Sequence, residues 1–161
     1  MLELFHWIQN TAWATWFRQA DLIFPLVEGS HILALSFSVG LILMLDLRLL
    51  GLAFRTEPVS RIMHQVMPWA LPGFAVMFAT GLLLFFAQAE SAYGNSYFRL
   101  KMLMLALLSV NAAFYQYKYY PHMAEWDTAE TIPWGPRVVA VASLVLWMGV
   151  IVFGRLTAYE L

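Results

Sequence analysis

The chain has no cysteine among its 161 residues. That excludes disulfides, thiolate zinc and iron–sulfur sites, a cysteine nucleophile and the C-x-x-C-H attachment of a covalent haem. Any metal or cofactor falls to histidine, methionine, carboxylate or backbone groups. Charge is scarce as well. Only 12% of residues are Asp, Glu, Lys or Arg, against about 25% in an ordinary soluble domain. Nine cationic and ten acidic residues give a net charge of −1, with no basic stripe to neutralise phosphates, so nucleic acid is excluded as a partner. No P-loop, no G-x-G-x-x-G, no pair of catalytic carboxylates and no Ser-His-Asp order is present. The start of the chain lacks the positive end and clean apolar run of a cleaved signal. Glu3, His6, Gln9, Asn10 and Arg18 interrupt it.

Apolar surface is abundant instead. Hydrophobic residues make up 61% of the chain and mean hydropathy is +0.68. A small soluble domain buries too little of its surface to hide that much, so the excess faces lipid. The pattern predicts an all-α integral membrane protein, a single transmembrane domain over residues 1–161. Four spans, about 22–50, 63–88, 98–120 and 137–156, form an up-down-up-down bundle, each long enough to cross the bilayer. An amphipathic interfacial helix over about 2–18 precedes them, carrying Trp7, Trp13 and Trp16, since Trp favours the headgroup level. Pro68 and Pro72 fall inside the second span, as membrane helices tolerate. Gly73, Ala75, Ala79 and Gly81 permit close helix contact.

Side A denotes the face where the first span begins. Side B carries Arg48, Arg55, Arg61, Lys118 and Arg137, and side A carries Arg18, Arg99, Lys101 and Arg155, a five-to-four bias that makes side B cytoplasmic. Two of the four histidines then lie toward each face. His6 and His31 lie toward side A, and His64 and His122 toward side B. Two imidazoles per face is the arrangement of a dihaem b-type cytochrome, in which each iron takes two axial ligands. His64 and His122 match in depth, each about 18–20 Å from mid-membrane at 1.5 Å per residue. His6 and His31 match only if the embedded part of the first span begins near His31. The expected cofactor is haem b, two per chain, held by all four histidines.

Neighbouring polar residues extend this reading. His122 shares a helical face with Lys118, Tyr115 and Asn111, which points that stripe inward and makes Lys118 a partner for a haem propionate. Glu28, three residues before His31, is placed to orient its imidazole. A rival set, Met63, His64, Met67, His122 and Met123, combines thioether and imidazole in the manner of a Cu(I) site. The remaining charges read as surface groups. Glu125, Asp127 and Glu130 form a solvated loop, and Asp46 and Arg48 anchor a helix end by snorkelling.

Three runs carry a resemblance. They are V-E-G-S-H-I-L-A-L-S-F-S-V-G-L-I-L-M-L-D-L-R-L-L-G from Val27 to Gly51, G-F-A-V-M-F-A-T-G-L-L-L-F from Gly73 to Phe85, and F-R-L-K-M-L-M-L-A-L-L-S-V-N from Phe98 to Asn111. Together they make the chain, from about residue 20 to 158, similar to a family of small bacterial inner-membrane four-helix proteins of unassigned function. The resemblance implies the fold and an inner-membrane location and brings no activity. The architecture is also similar to that of dihaem transmembrane cytochromes b, which is fold-level analogy. The expected function is electron transfer across or along the bilayer in preference to substrate conversion, with a redox partner or quinone that the sequence does not single out. The alternatives are copper handling and a non-catalytic scaffold or accessory subunit. The small-residue faces Gly73 to Gly81 and Ala140 to Gly149 would pack that subunit against partner chains or copies of itself.

Overall fold

A computed structural model describes residues 2–129 and 131–160. Among them all regular structure is helical. The amphipathic start is two short helices, α1 (Leu2–Gln9) and α2 (Ala12–Gln19), broken where Thr11 turns out of helical geometry and caps α2 by accepting from the Ala14 amide. The long helices are α3 (Ile23–Leu50), α4 (Val59–Ala87), α6 (Ser96–Phe114) and α7 (Trp134–Glu160). A one-turn helix, α5 (Ala89–Gly94), occupies the polar turn between α4 and α6. Past Phe114 the third span continues as a π-helical stretch, Tyr115–Tyr119, and a 3₁₀ stretch, Tyr120–Glu125.

These ends have local causes. Gly51 takes φ +72° after α3, and its amide and that of Leu52 close back on the Arg48 and Leu47 carbonyls, a turn that glycine permits without steric cost. Asn95 opens α6 by accepting from the Tyr97 and Phe98 amides. At α4 the cap comes from a distant loop. Asp127 accepts from the Ser60 amide at 2.7 Å and from its hydroxyl at 2.6 Å. Asp127 is therefore a structural cap and not a solvated loop charge. Its acidic neighbour Glu130 lies outside the described residues. Replacing Asp127 by Ala is expected to lower stability by about 1–2 kcal/mol, the usual cost of losing a helix cap. Thermal unfolding in detergent micelles would show it, and an unchanged midpoint would contradict the role.

Four helices are long and apolar enough to cross a membrane, and the protein is a multi-pass membrane protein. Leu33, Phe37, Phe78, Leu103, Val110, Val145 and Met148 project outward from them. Such side chains are at home against lipid, where the drive to associate comes from packing and hydrogen bonds rather than from hiding apolar surface. Trp7, Trp13 and Trp16 are exposed on the two short leading helices.

Packing runs α4–α3–α7–α6. The α3–α4 and α6–α7 hairpins are intimate, and α3 joins them through α7. Backbones of α4 and α6 do not pack closely. Phe85 and Phe98 bridge them by stacking at 5.6 Å between ring centres. Glycines set the close approaches. A Cβ on Gly73 would overlap the Ser38 hydroxyl, one on Gly149 would overlap the Met104 thioether, and one on Gly135 would overlap the Tyr119 ring. Of the small residues foreseen as docking surfaces, Ala75 and Ala79 are exposed, while Gly73, Gly81, Ala140 and Gly149 face the bundle interior. Its side-B half is filled by Leu45, Leu49, Val66, Tyr115, Met123 and neighbours. The middle is filled by Leu108, Trp147 and Val150, with Phe74 stacked on Trp147 at 5.5 Å.

Asp46 and Arg48 are not snorkelling anchors. They are 5% and 1% exposed, because the final turn of α3 is covered by α7 and by the loop after α3. Arg48 Nε donates to the Glu57 carbonyl at 2.7 Å.

Candidate functional site

The side-A half of the bundle interior holds a small polar layer drawn from α3, α4 and α6. His31, on the third turn of α3, is half-buried. Its Nδ1 lies 2.9 Å from the Met77 carbonyl oxygen and 3.1 Å from Thr80 Oγ1. A carbonyl only accepts, so Nδ1 carries the proton and Nε2 keeps its lone pair. Thr80 is itself held, its hydroxyl donating to the Val76 carbonyl at 2.7 Å. Gly81 leaves room for the ring, since a Cβ there would stand 3.0 Å from His31 Cε1. From α6, Lys101 reaches toward α7, where a Cβ on Gly154 would sit 3.8 Å from Nζ. The Lys101 side chain is itself half-buried in the bundle.

The other foreseen residues are not gathered there. His6 is exposed, with Nδ1 2.9 Å from a Glu90 carboxylate oxygen and Asn10 beside the ring. Gln9 accepts from the Glu90 amide, so α1 is held at the side-A mouth, over α5. The rise from Thr80 to Ala87 is about 10 Å, and Glu90 lies beyond it. His6 and His31 therefore occupy different depths and do not form a pair. The cause is where α3 begins: helix from Ile23 carries His31 two turns inside. Glu28 is exposed, and the orienting role foreseen for it is taken by the Met77 carbonyl.

On side B, His64 is exposed, and so is His122, whose Nδ1 lies 3.1 Å from Glu125 Oε1. The expected inward stripe is broken. Asn111 does face in, donating to the Val139 carbonyl at 3.0 Å, and Tyr115 is buried. The π-helical turn and Pro121 then change the phase of the helix. Lys118 ends at the surface, its ammonium 5.0 Å from the Phe114 ring centre and 5.7 Å from that of Tyr119. The copper set does not converge either. Met63, Met67 and Met123 pack into the side-B core, and the Tyr115 hydroxyl reaches Met123 Sδ at 3.9 Å. His64 and His122 face out. Among the described residues no cluster of three or more His, Cys, Asp or Glu could hold a metal ion.

Sequence reasoning missed Lys101 as an interior residue, treating it as a flank of the third span. Its position five residues into a helix starting at Ser96 was the available signal. Met77 and Thr80, as the groups that hold His31, left no such trace.

An all-helical bundle of four spans, with one locked imidazole in its interior, defines the class as a multi-pass membrane protein. The chain belongs to a family of unknown function, DUF6644, whose sequence profile matches residues 7–160. No curated protein and no solved structure matches it.

Proposed function

We propose that the protein is a b-type cytochrome of the bacterial inner membrane, an electron carrier with one haem per chain held at His31. The observation that carries the reading is the state of that imidazole. It sits in an apolar span, where ionisable groups are costly and mark functional positions. Its Nδ1–H is tied to the Met77 carbonyl, the arrangement by which metal-ligating histidines are oriented. Nε2 is left as the donor atom. Lys101, half-buried on α6, would offer a cation for a propionate. Haem, when bound, supplies the one-electron couple. Phe74 and Trp147 stack across the bundle in the apolar middle layer.

The donor chemistry fits haem. Space sets a further requirement, because two clefts between helices, about 150 and 200 Å³, include none of the four histidines. A porphyrin at His31 calls for α4 and α6, bridged at Phe85 and Phe98, to part. Two haems are not supported, since no second histidine shares the depth of His31 and the side-B pair faces out.

A reduced-minus-oxidised absorption spectrum of the purified protein, expressed with ample haem, tests the reading. A b-type spectrum is expected. A colourless protein would overturn it in favour of a non-catalytic accessory subunit.

A further inference from the structure

Asp46 and the groove beside it are left unexplained by His31 and its surroundings. The groove runs between α3 and α7, has a volume of about 150 Å³, and is lined by Val39, Leu43, Asp46, Trp147, Met148 and Ile151, with Leu144. Every lining residue but Asp46 is apolar. Its carboxyl is 5% exposed, and Oδ2 has no hydrogen-bond partner among the described residues. Ser143 of α7 is buried as well. Asp46 does not pair with Arg48, which bonds the Glu57 carbonyl. A buried acceptor with no partner is costly, and in a membrane no water stands ready to satisfy it.

We propose that this groove binds the ring of a membrane-dissolved hydroquinone, with a ring hydroxyl donating to the Asp46 carboxylate at the groove wall. Size supports a single ring, since an apolar cavity of about 150 Å³ accepts benzene. Shape supports it too, because Trp147 supplies an aromatic wall against which a flat ring packs. The outer rim is Leu43, Met148 and Ile151, all exposed, so an apolar tail leaves directly into lipid. Depth agrees, with Asp46 about 14 Å from the middle of α3, near the polar boundary on side B where a hydroxylated head group partitions. A metal ion does not suit the site, because among the described residues no group of three or more His, Cys, Asp or Glu could hold one. The groove is independent of His31, about 22 Å away along the same helix, so the absence of haem would leave this inference standing.

The test is calorimetric titration of the full chain, in nanodiscs of quinone-free phosphatidylcholine, with decyl-benzohydroquinone under anaerobic conditions. The dimethyl ether of the same compound, which lacks the donor, is titrated in parallel. Saturable binding of one hydroquinone per chain is expected, with the ether about tenfold weaker, as loss of a hydrogen bond to a buried acceptor implies. Asp46→Leu removes the acceptor and Leu43→Trp fills the groove, and each is expected to weaken the hydroquinone by about tenfold or more on the same grounds. Should Asp46→Leu fail to fold, the ether comparison on the unaltered protein decides. Equal binding of hydroquinone and ether, or unchanged binding in both variants, overturns the proposal. So does a wild-type dimer that Asp46→Leu turns into a monomer, since a second copy would then fill the groove.

Discussion

His31→Ala is expected to yield a folded protein with no haem, while His6→Ala, His64→Ala and His122→Ala each keep the full haem content. The asymmetry follows from where the rings are held. His31 alone has its Nδ1–H on a backbone carbonyl inside the bundle. His6 and His122 lie beside the exposed carboxylates of Glu90 and Glu125, and His64 faces outward. The alanine leaves space where the imidazole stood, against Gly81, so added imidazole is expected to restore part of the haem spectrum. Helical circular dichroism of each variant guards against simple misfolding. Haem loss in His6→Ala equal to that in His31→Ala would mean that α1 dips into the bundle and that the paired model, not the single site, is right.

Gly73→Ala is expected to destabilise the bundle by about 1–3 kcal/mol, the range for overpacking a close-packed interior. The added methyl meets the Ser38 hydroxyl, between the two helices that pack most closely. Removing that hydroxyl in the double variant Ser38→Ala/Gly73→Ala should recover most of the loss. Ser38 Oγ is fully buried with no hydrogen-bond partner among the described residues, so its removal costs little. Graded thermal or chemical unfolding in micelles measures both. Equal instability of the single and double variants would show that the clash is not with Ser38.

The fold was largely legible because lipid imposes a coarse and strong pattern. Runs of apolar residues, broken at polar turns, marked out all four spans, and the ends differ by only a few residues from those expected. What escaped was decided by contacts distant in sequence or by helix phase. Asp127 reads as a loop acid because nothing local says that it caps α4, over sixty residues earlier. The interfacial helix divides because Thr11 can hydrogen-bond its own chain, a choice that apolar periodicity does not register. The polar face of the third span extrapolates correctly through Asn111 and Tyr115. It fails at Lys118 and His122 because the π-helical turn changes the angle per residue.

The site was legible in part for the same reason. His31 stood out as an ionisable group in an apolar run, and the structure gives it an interior position and a fixed tautomer. Pairing histidines by depth needed the starting point of α3. The sequence leaves that open by two turns, and those turns separate His31 from His6. Asp46 and Arg48 read as surface anchors from their place near a helix end. Only the packing of α7 and the loop after α3 reveals that both are buried.

The measurement that bears most directly on the central claim is haem per chain, by pyridine haemochrome assay on detergent-purified protein with the chain quantified by amino-acid analysis. One haem per chain, lost in His31→Ala, is predicted. Two per chain would restore a second site that the geometry does not form, and none would contradict the cytochrome reading altogether.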